Sequence, residues 1–162
     1  MKYPNLEKLV DIIAVLRSEN GCEWDREQTH KSLRPNMLEE AYEAVDAIDE
    51  GDISNLREEL GDVLLQVVLH AQIAKDDGEF DIEDVAKELS DKLIHRHPHV
   101  FGNTEVHSTQ EILDNWDKLK KEEKTYRKSV LDGISKSQSA LMSAQKISKK
   151  VVKVGFEWDC VD

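Results

Sequence analysis

Two short acidic clusters are the residues of this 162-residue chain whose types and spacing could do chemistry. They are Glu39, Glu40 and Glu43, followed by Glu58, Glu59 and Asp62. In each cluster the last two acids lie three residues apart, and this spacing places them on one face of a helix. If two such helices packed antiparallel, Glu40, Glu43, Glu59 and Asp62 would form one group of oxygen ligands. Four carboxylates there would repel one another unless a hard divalent cation, Mg²⁺ or Mn²⁺, neutralised them.

Acidic residues at helical spacing most often form a solvated face, so the flanking sequence has to decide between the two interpretations. The second cluster is followed directly by residues 63–69, in which only Gln66 is not apolar. Such a stretch is too apolar for a surface helix. Carboxylates next to a buried segment are costly unless they are paired or bind a metal ion. The sequence therefore favours a metal site.

The composition is typical of a mainly helical protein with reduced thiols. Charged residues make up 35% of the chain, and glycine and proline number only 7 and 3. Cys22 and Cys160 lie far apart and neither belongs to a CxxC motif, so we expect a cytoplasmic protein. No apolar run approaches the roughly 20 residues of a membrane span, and the N-terminus has no signal-peptide pattern, so no membrane partner is expected.

The net charge of −12 is distributed unevenly. An acidic chain is not expected to bind nucleic acid nonspecifically. Residues 118–153, however, contain 11 basic and 3 acidic side chains, a net charge of +8. This basic segment could contact a polyanion, or it could be the solvated side of a late helix.

Apolar periodicity predicts an all-α fold, because no convincing period-2 stretch occurs. The first helix is expected over residues 5–18, followed by a loop at residues 21–25. The second runs from Pro35 to about Glu50, and its inner stripe is predicted to be Leu38, Ala41, Val45 and Ile48. A third, capped by Asp52 or Ser54, reaches about Lys75. A fourth runs from about Asp81 to just before Pro98.

Two later helices complete the prediction. Residues 108–111 (STQE) read as a capping box that opens the fifth helix, with an apolar stripe that includes Trp116. The last helix is expected near residues 137–153, with Leu141 and Ile147 among its packing residues. The helix that ends near Lys75 is apolar on almost every side and must therefore be covered all round, so we expect it to lie in a subunit interface.

A short internal echo suggests a repeat. Residues 21–25 (GCEWD) recur as residues 155–159 (GFEWD). The second copy looks like the opening of a further repeat whose body is absent. We therefore expect a catalytic helical domain over residues 1–128, and over residues 129–162 a helix and linker that lead toward that absent repeat.

Four motifs, taken in order, resemble those of the MazG family of nucleoside triphosphate pyrophosphohydrolases. They are residues 22–29 (CEWDREQT), 38–43 (LEEAYE), 58–68 (EELGDVLLQVV) and 96–101 (RHPHVF). The resemblance continues through residues 144–147 (AQKI) and covers essentially the whole chain. It implies a Mg²⁺-dependent helical bundle completed by oligomerisation, as a homodimer or a dimer of dimers. It also implies hydrolysis of a broad range of ribo- and deoxyribonucleoside triphosphates to a nucleoside monophosphate and pyrophosphate, as nucleotide-pool housekeeping.

The resemblance also assigns roles to individual residues. The metal ligands would be Glu40, Glu43, Glu59 and Asp62. Glu39 would lie at the edge of the site, as the base that activates water, as an orienting group or as an additional ligand. The nucleotide would contact Lys92, Arg96, Trp116 and Lys120, with Trp116 either stacked on the base or part of the core. The alternative is a non-catalytic MazG domain that serves oligomerisation or regulation.

Overall fold

A computed structural model describes residues 3–156, and these residues form α-helices and no strand. The helices are α1 (Pro4–Arg17), α2 (Glu23–Glu27), α3 (Arg34–Glu50), α4 (Ile53–Asp76), α5 (Ile82–Arg96), α6 (Pro98–Phe101), α7 (Thr109–Glu122) and α8 (Ala140–Val152). The predicted all-α fold class is confirmed. The chain divides into two compact units, Met1–Asp91 and Lys92–Asp162, with the division inside α5. The predicted domain boundary after residue 128 stays a prediction.

The first unit is built around a hairpin of α3 and α4, which forms where the sequence predicts it. Pro35 lies in the first turn of α3, where its missing N–H costs no hydrogen bond. Gly51 ends α3 with φ of 71°, in the left-handed region that favours glycine. The Asp52 carboxylate then caps α4 by accepting hydrogen bonds from the N–H groups of Ser54 (2.9 Å) and Asn55 (3.0 Å). The two-residue connection makes the packed helices antiparallel.

The inner stripe predicted for α3 is wrong. Leu38, Val45 and Ile48 are 51%, 49% and 59% exposed in the single chain. The buried residues of α3 are instead Ala44 and Ala47. These small side chains allow α3 and α4 to approach closely, whereas the larger apolar side chains stay on an uncovered face of the hairpin.

The core of the first unit lies at the C-terminal half of α4. Val68, Leu69 and Ile73 of α4 form a buried cluster with Ile13 of α1 and with Leu33, which precedes α3. The N-terminal half of α4, which carries the acidic residues, lies outside this cluster. One helix therefore provides both the core of the unit and one side of the acidic group.

The predicted loop at residues 21–25 is partly wrong, because Glu23–Glu27 form the short helix α2. Arg17, at the end of α1, fixes the segment that follows. Its Nε donates to Asp76 Oδ2 at 2.8 Å, and its Nη1 donates to the backbone oxygens of Asp25 and Gln28. One guanidinium thus joins the ends of α1, α2 and α4.

The second unit contains α6, α7 and α8. Ser108 caps α7 through its Oγ, which accepts a hydrogen bond from Glu111 N at 3.1 Å. The return bond of the predicted capping box goes to His107 N instead of Ser108 N. The predicted packing of Leu141 in α8 is wrong, since this side chain is 85% exposed. The last three residues of the echo at 155–159 lie outside the described residues.

Across residues 3–156, no helix combines the length and the apolar composition that crossing a membrane requires.

Candidate active site

An acidic group lies on the α3–α4 hairpin of the first unit. Glu40 and Glu43 project from α3 and Glu59 from α4, and one carboxylate oxygen of each lies within 4.8 Å of the other two. Glu40 and Glu59 are half-buried, whereas Glu43 is exposed. The antiparallel hairpin thus brings together three of the four predicted metal ligands.

Asp62 and Glu39 lie outside this set of three but act on it electrostatically. The pKa of Glu40 is raised above its ordinary value of 4.5, first by burial and then by the charges of Asp62, Glu43, Glu39 and Glu59. The pKa of Glu59 is raised by burial, and then by Glu43, Asp62 and Glu58. The fourth predicted ligand and the predicted edge residue are therefore both close enough to destabilise negative charge at Glu40.

The chemistry of these donors fits a hard divalent cation. Every member of the group offers carboxylate oxygens, which suit Mg²⁺ or Mn²⁺, whereas zinc and copper sites generally include nitrogen or sulfur ligands. A bound cation would also remove the mutual repulsion that raises the two pKa values. The ligands would be Glu40, Glu43, Glu59 and Asp62, held by two helices joined by a tight turn.

A basic group lies in the second unit, around Trp116. Lys120 Nζ is 4.4 Å from the centroid of the indole ring, and Arg96 Cζ is 5.4 Å from it. Both distances are within the range of cation–π attraction. Lys92 is half-buried and lies four residues before Arg96, on the same face of α5. The three residues Arg96, Trp116 and Lys120 are therefore brought together, and Lys92 lies one turn away.

The sequence left open whether Trp116 belongs to the core or contacts a ligand. The side chain is only half-buried. It also lines a cavity of about 690 Å³, together with Leu113 and Lys121. Part of the ring is therefore accessible to a ligand, and a contact of Trp116 with the nucleotide stays a prediction.

Glu123 contacts the basic group and is not among the residues that the sequence predicted there. Arg96 is only 9% exposed, and its Nε donates to both carboxylate oxygens of Glu123, at 3.0 and 3.2 Å. Its Nη2 donates to Glu123 as well. The hydrogen bond from Arg96 is the main reason that the pKa of Glu123 is lowered. The available signal was the three-residue spacing from Lys120, which places Glu123 on the same face of the helix.

Positive charge in the basic group exceeds what Glu123 neutralises. The pKa of Lys120 is lowered, first by burial and then by Arg96 and Lys124, against the opposing effect of Asp117, with a further lowering by Arg127. A cation whose pKa is lowered by neighbouring cations is stabilised when an anion binds beside it. The arrangement therefore suits an anionic ligand with an aromatic or apolar part.

Comparison with known proteins places both groups in context. Residues 28–101 match the MazG nucleotide pyrophosphohydrolase domain family. All the predicted metal ligands lie in this range, as do Lys92 and Arg96, whereas Trp116 and Lys120 follow it.

The chain is 50% identical over 153 residues to the nucleoside triphosphate pyrophosphohydrolase/pyrophosphatase MazG of Thermotoga maritima. It is 47% identical over 156 residues to the nucleoside triphosphate pyrophosphohydrolase of Escherichia coli. Each match covers 94% of this chain, but the chain spans only 58% and 59% of the length of these relatives. The crystal structure of a mazG-related protein from Thermotoga maritima superimposes with a TM-score of 0.60 at 31% identity, over 71% of this chain and 98% of that one.

Proposed function

The chain belongs to the MazG family, and on this premise we propose that it hydrolyses nucleoside triphosphates to a nucleoside monophosphate and pyrophosphate with Mg²⁺. The observation that carries the proposal is the convergence of Glu40, Glu43 and Glu59, whose carboxylate oxygens lie within 4.8 Å of one another. The relatives from Thermotoga maritima and Escherichia coli bear the name of this activity.

The acidic group of the first unit is the part of the chain suited to hydrolysis. When bound, Mg²⁺ would neutralise phosphate charge and orient the attacking water, and Mn²⁺ would accept the same oxygen donors. Glu40, Glu43, Glu59 and Asp62 would hold the cation. Glu39 is exposed at the edge of the group, where its carboxylate accepts the proton of the attacking water.

The basic group of the second unit is the part of the chain suited to nucleotide binding. Arg96, Lys120 and Lys92 meet the phosphate oxygens, because phosphate charge has to be balanced by cations. Glu123 orients Arg96 by binding its Nε and Nη2. Trp116 stacks on the base. Since every base has an aromatic face, stacking favours a broad range of ribo- and deoxyribonucleotides and a housekeeping role in the nucleotide pool.

The uncovered apolar face of the hairpin supports a homodimer, or a dimer of dimers. Leu38, Tyr42, Val45 and Ile48 of α3 and Ile53, Leu60 and Leu64 of α4 are all exposed in the single chain. An apolar surface of this extent marks an interaction site. The sequence predicted a subunit interface at α4 alone, and the exposed apolar residues of α3 add this helix to the proposed interface. Sedimentation of a Val45→Glu variant tests this proposal: a dimeric wild type and a folded monomeric variant are expected, and a dimeric variant would contradict it.

Pyrophosphate release from a panel of ribo- and deoxyribonucleoside triphosphates, with Mg²⁺ and with EDTA, tests the proposed activity. We expect Mg²⁺-dependent release of pyrophosphate, and loss of this release in Glu43→Gln and Asp62→Asn variants that remain folded. Asp49→Asn is the matched control, because Asp49 is an exposed acid on another face of α3. Release of orthophosphate, or full activity of both ligand variants, would refute the proposal.

A second candidate is a non-catalytic domain that assembles with itself or regulates a partner domain. It is favoured by the uncovered apolar face of the hairpin. It predicts a stable oligomer without metal-dependent turnover, and the same panel distinguishes it from the enzyme. A cytoplasmic location, and the expectation that neither nucleic acid nor a membrane is a partner, stay predictions.

A further inference from the structure

The turn between α7 and α8 carries a pair of cations outside the basic group around Trp116. The Asp132 carboxylate organises the turn by accepting hydrogen bonds from Lys128 N (2.7 Å) and Ser129 N (2.9 Å). From α8, Lys150 Nζ donates to the backbone oxygens of Val130 (2.7 Å) and Asp132 (3.1 Å). The ammonium group is thus fixed against the turn by two of its three donors.

Arg127 lies against the same turn. Gly133 has φ of 80°, and a Cβ at this position would be 2.1 Å from Arg127 Nη2 and 2.4 Å from its Cζ. The guanidinium therefore packs directly on the Gly133 backbone, in space that only glycine leaves open. Arg127 Nε is buried and has no hydrogen-bond partner among the described residues. Buried donors are almost always satisfied, so this N–H indicates a missing acceptor.

The charges around this pair are mostly of one sign. The pKa of Lys150 is lowered by burial, and then by Arg127 and Lys146, against the opposing effect of Asp132. Arg127 also lowers the pKa of Lys120 in the basic group. Arg127 is therefore within electrostatic reach of both lysines, Lys150 at the turn and Lys120 in the basic group.

We propose that Arg127 and Lys150 extend the basic group into a site for the pyrophosphate part of a nucleoside triphosphate. The proposal rests on the proposed function for the identity of its ligand. A pyrophosphate group carries several negative charges and several acceptor oxygens, so it can satisfy Arg127 Nε and the free donor of Lys150 together. Arginine suits this role because its planar fork binds phosphate oxygens bidentately. The site gives triphosphates an advantage over monophosphates, which lack this group.

Calorimetric titration of the metal-free full chain with inorganic pyrophosphate tests the site without requiring turnover. We expect binding to the wild type, weakened about tenfold or more by Arg127→Gln, as for the loss of one charge-assisted contact. Lys149→Gln is the matched control, because Lys149 is an exposed neighbour of Lys150 on α8 and its replacement removes the same charge. Lys150 also holds the turn through two hydrogen bonds, so it is replaced by arginine instead of glutamine. Thermal melting checks that each variant is folded.

The outcomes separate this proposal from the proposed activity. Binding that depends on Arg127, and that a nonhydrolysable nucleoside triphosphate displaces, supports the site. Any of three results would overturn it. The wild type does not bind pyrophosphate, Arg127→Gln and Lys149→Gln weaken binding equally, or the nucleotide does not displace pyrophosphate. Pyrophosphate binding through Arg127 in a chain that hydrolyses no nucleotide would refute the activity alone. Hydrolysis with an unchanged KM in Arg127→Gln would refute the pyrophosphate site alone.

Discussion

Replacing Glu43 by glutamine gives a sharp test of the acidic group, because the change keeps the size of the side chain and removes one negative charge. Glu43 is exposed, so the fold does not depend on it. Its carboxylate oxygen lies within 4.8 Å of those of Glu40 and Glu59. We therefore expect the variant to fold normally and to bind Mg²⁺ poorly.

The expected size of the effect follows from binding linkage. At a Mg²⁺ concentration of about 100 times Kd, a single site raises the free energy of unfolding by about 2.7 kcal/mol. For a chain of this length that is a rise in Tm of about 5–11 °C. Replacing a residue that hydrogen-bonds a metal ligand typically weakens metal binding about 10- to 100-fold. Replacing a ligand itself should weaken Mg²⁺ binding at least as much. At about 100-fold weaker binding, the same Mg²⁺ concentration stabilises the variant by only about 0.4 kcal/mol.

Thermal unfolding with and without Mg²⁺ measures this difference directly. We expect a clear Mg²⁺-dependent rise in Tm for the wild type and for Asp49→Asn, and a rise of about 2 °C or less for Glu43→Gln. The metal-free Glu43→Gln variant should be at least as stable as the metal-free wild type, because one source of repulsion is gone. An undiminished Mg²⁺ effect in Glu43→Gln would refute the assignment of the acidic group as the metal site.

Three further substitutions test the parts of the first unit that position the site. Leu33→Ala should lower the free energy of unfolding by about 2–5 kcal/mol in urea titrations, because Leu33 is 1% exposed in the core cluster. Ala47→Leu should cost about 1–3 kcal/mol by overpacking and should also reduce the Mg²⁺ effect on Tm, because Ala47 is buried one turn beyond Glu43. The pKa of His70 is lowered from 6.5, first by burial and then by His30, so the folded state takes up this proton less readily than the unfolded chain. The free energy of unfolding should therefore fall as the pH drops below about 6.5, and a His70→Gln variant should lose part of this dependence.

Each of these three substitutions has its own control. Leu6→Ala, at an exposed position of α1, should cost less than Leu33→Ala. Ala41→Leu lies on an exposed part of α3, and equal effects of Ala41→Leu and Ala47→Leu would contradict close helix packing at Ala47. For His70, one proton corresponds to at most about 1.4 kcal/mol per pH unit, and a partly buried imidazole should show only a fraction of this. Identical pH dependence in wild type and His70→Gln would contradict the expectation.

Local chemistry made several helix ends predictable from the sequence. Pro35 at the start of α3, Asp52 at the start of α4 and Ser108 at the start of α7 all act within a few residues of themselves. Their effects require no knowledge of the rest of the chain. The convergence of Glu40, Glu43 and Glu59 was also predictable, because two helices joined by a short connection pack antiparallel.

Other features depended on which surfaces meet. The periodicity of α3 shows that Leu38, Val45 and Ile48 share a face, but not whether that face meets α4 or stays uncovered. Since α3 also carries Ala44 and Ala47, the closest packing with α4 is reached on the alanine side. Helical periodicity reports which residues are neighbours on one helix and contains no information about the opposing surface.

The sequence by itself determined the chemical types of the candidate site: a set of carboxylates at helical spacing, and a later basic segment that follows Trp116. Only the tertiary structure decided the partners of the cations, with Arg96 held by Glu123 and Arg127 packed on Gly133. These pairs depend on how helices and turns are placed in three dimensions. Spacing along the chain determines which residues share a helix face, and the packing of the whole unit determines which residues that face contacts.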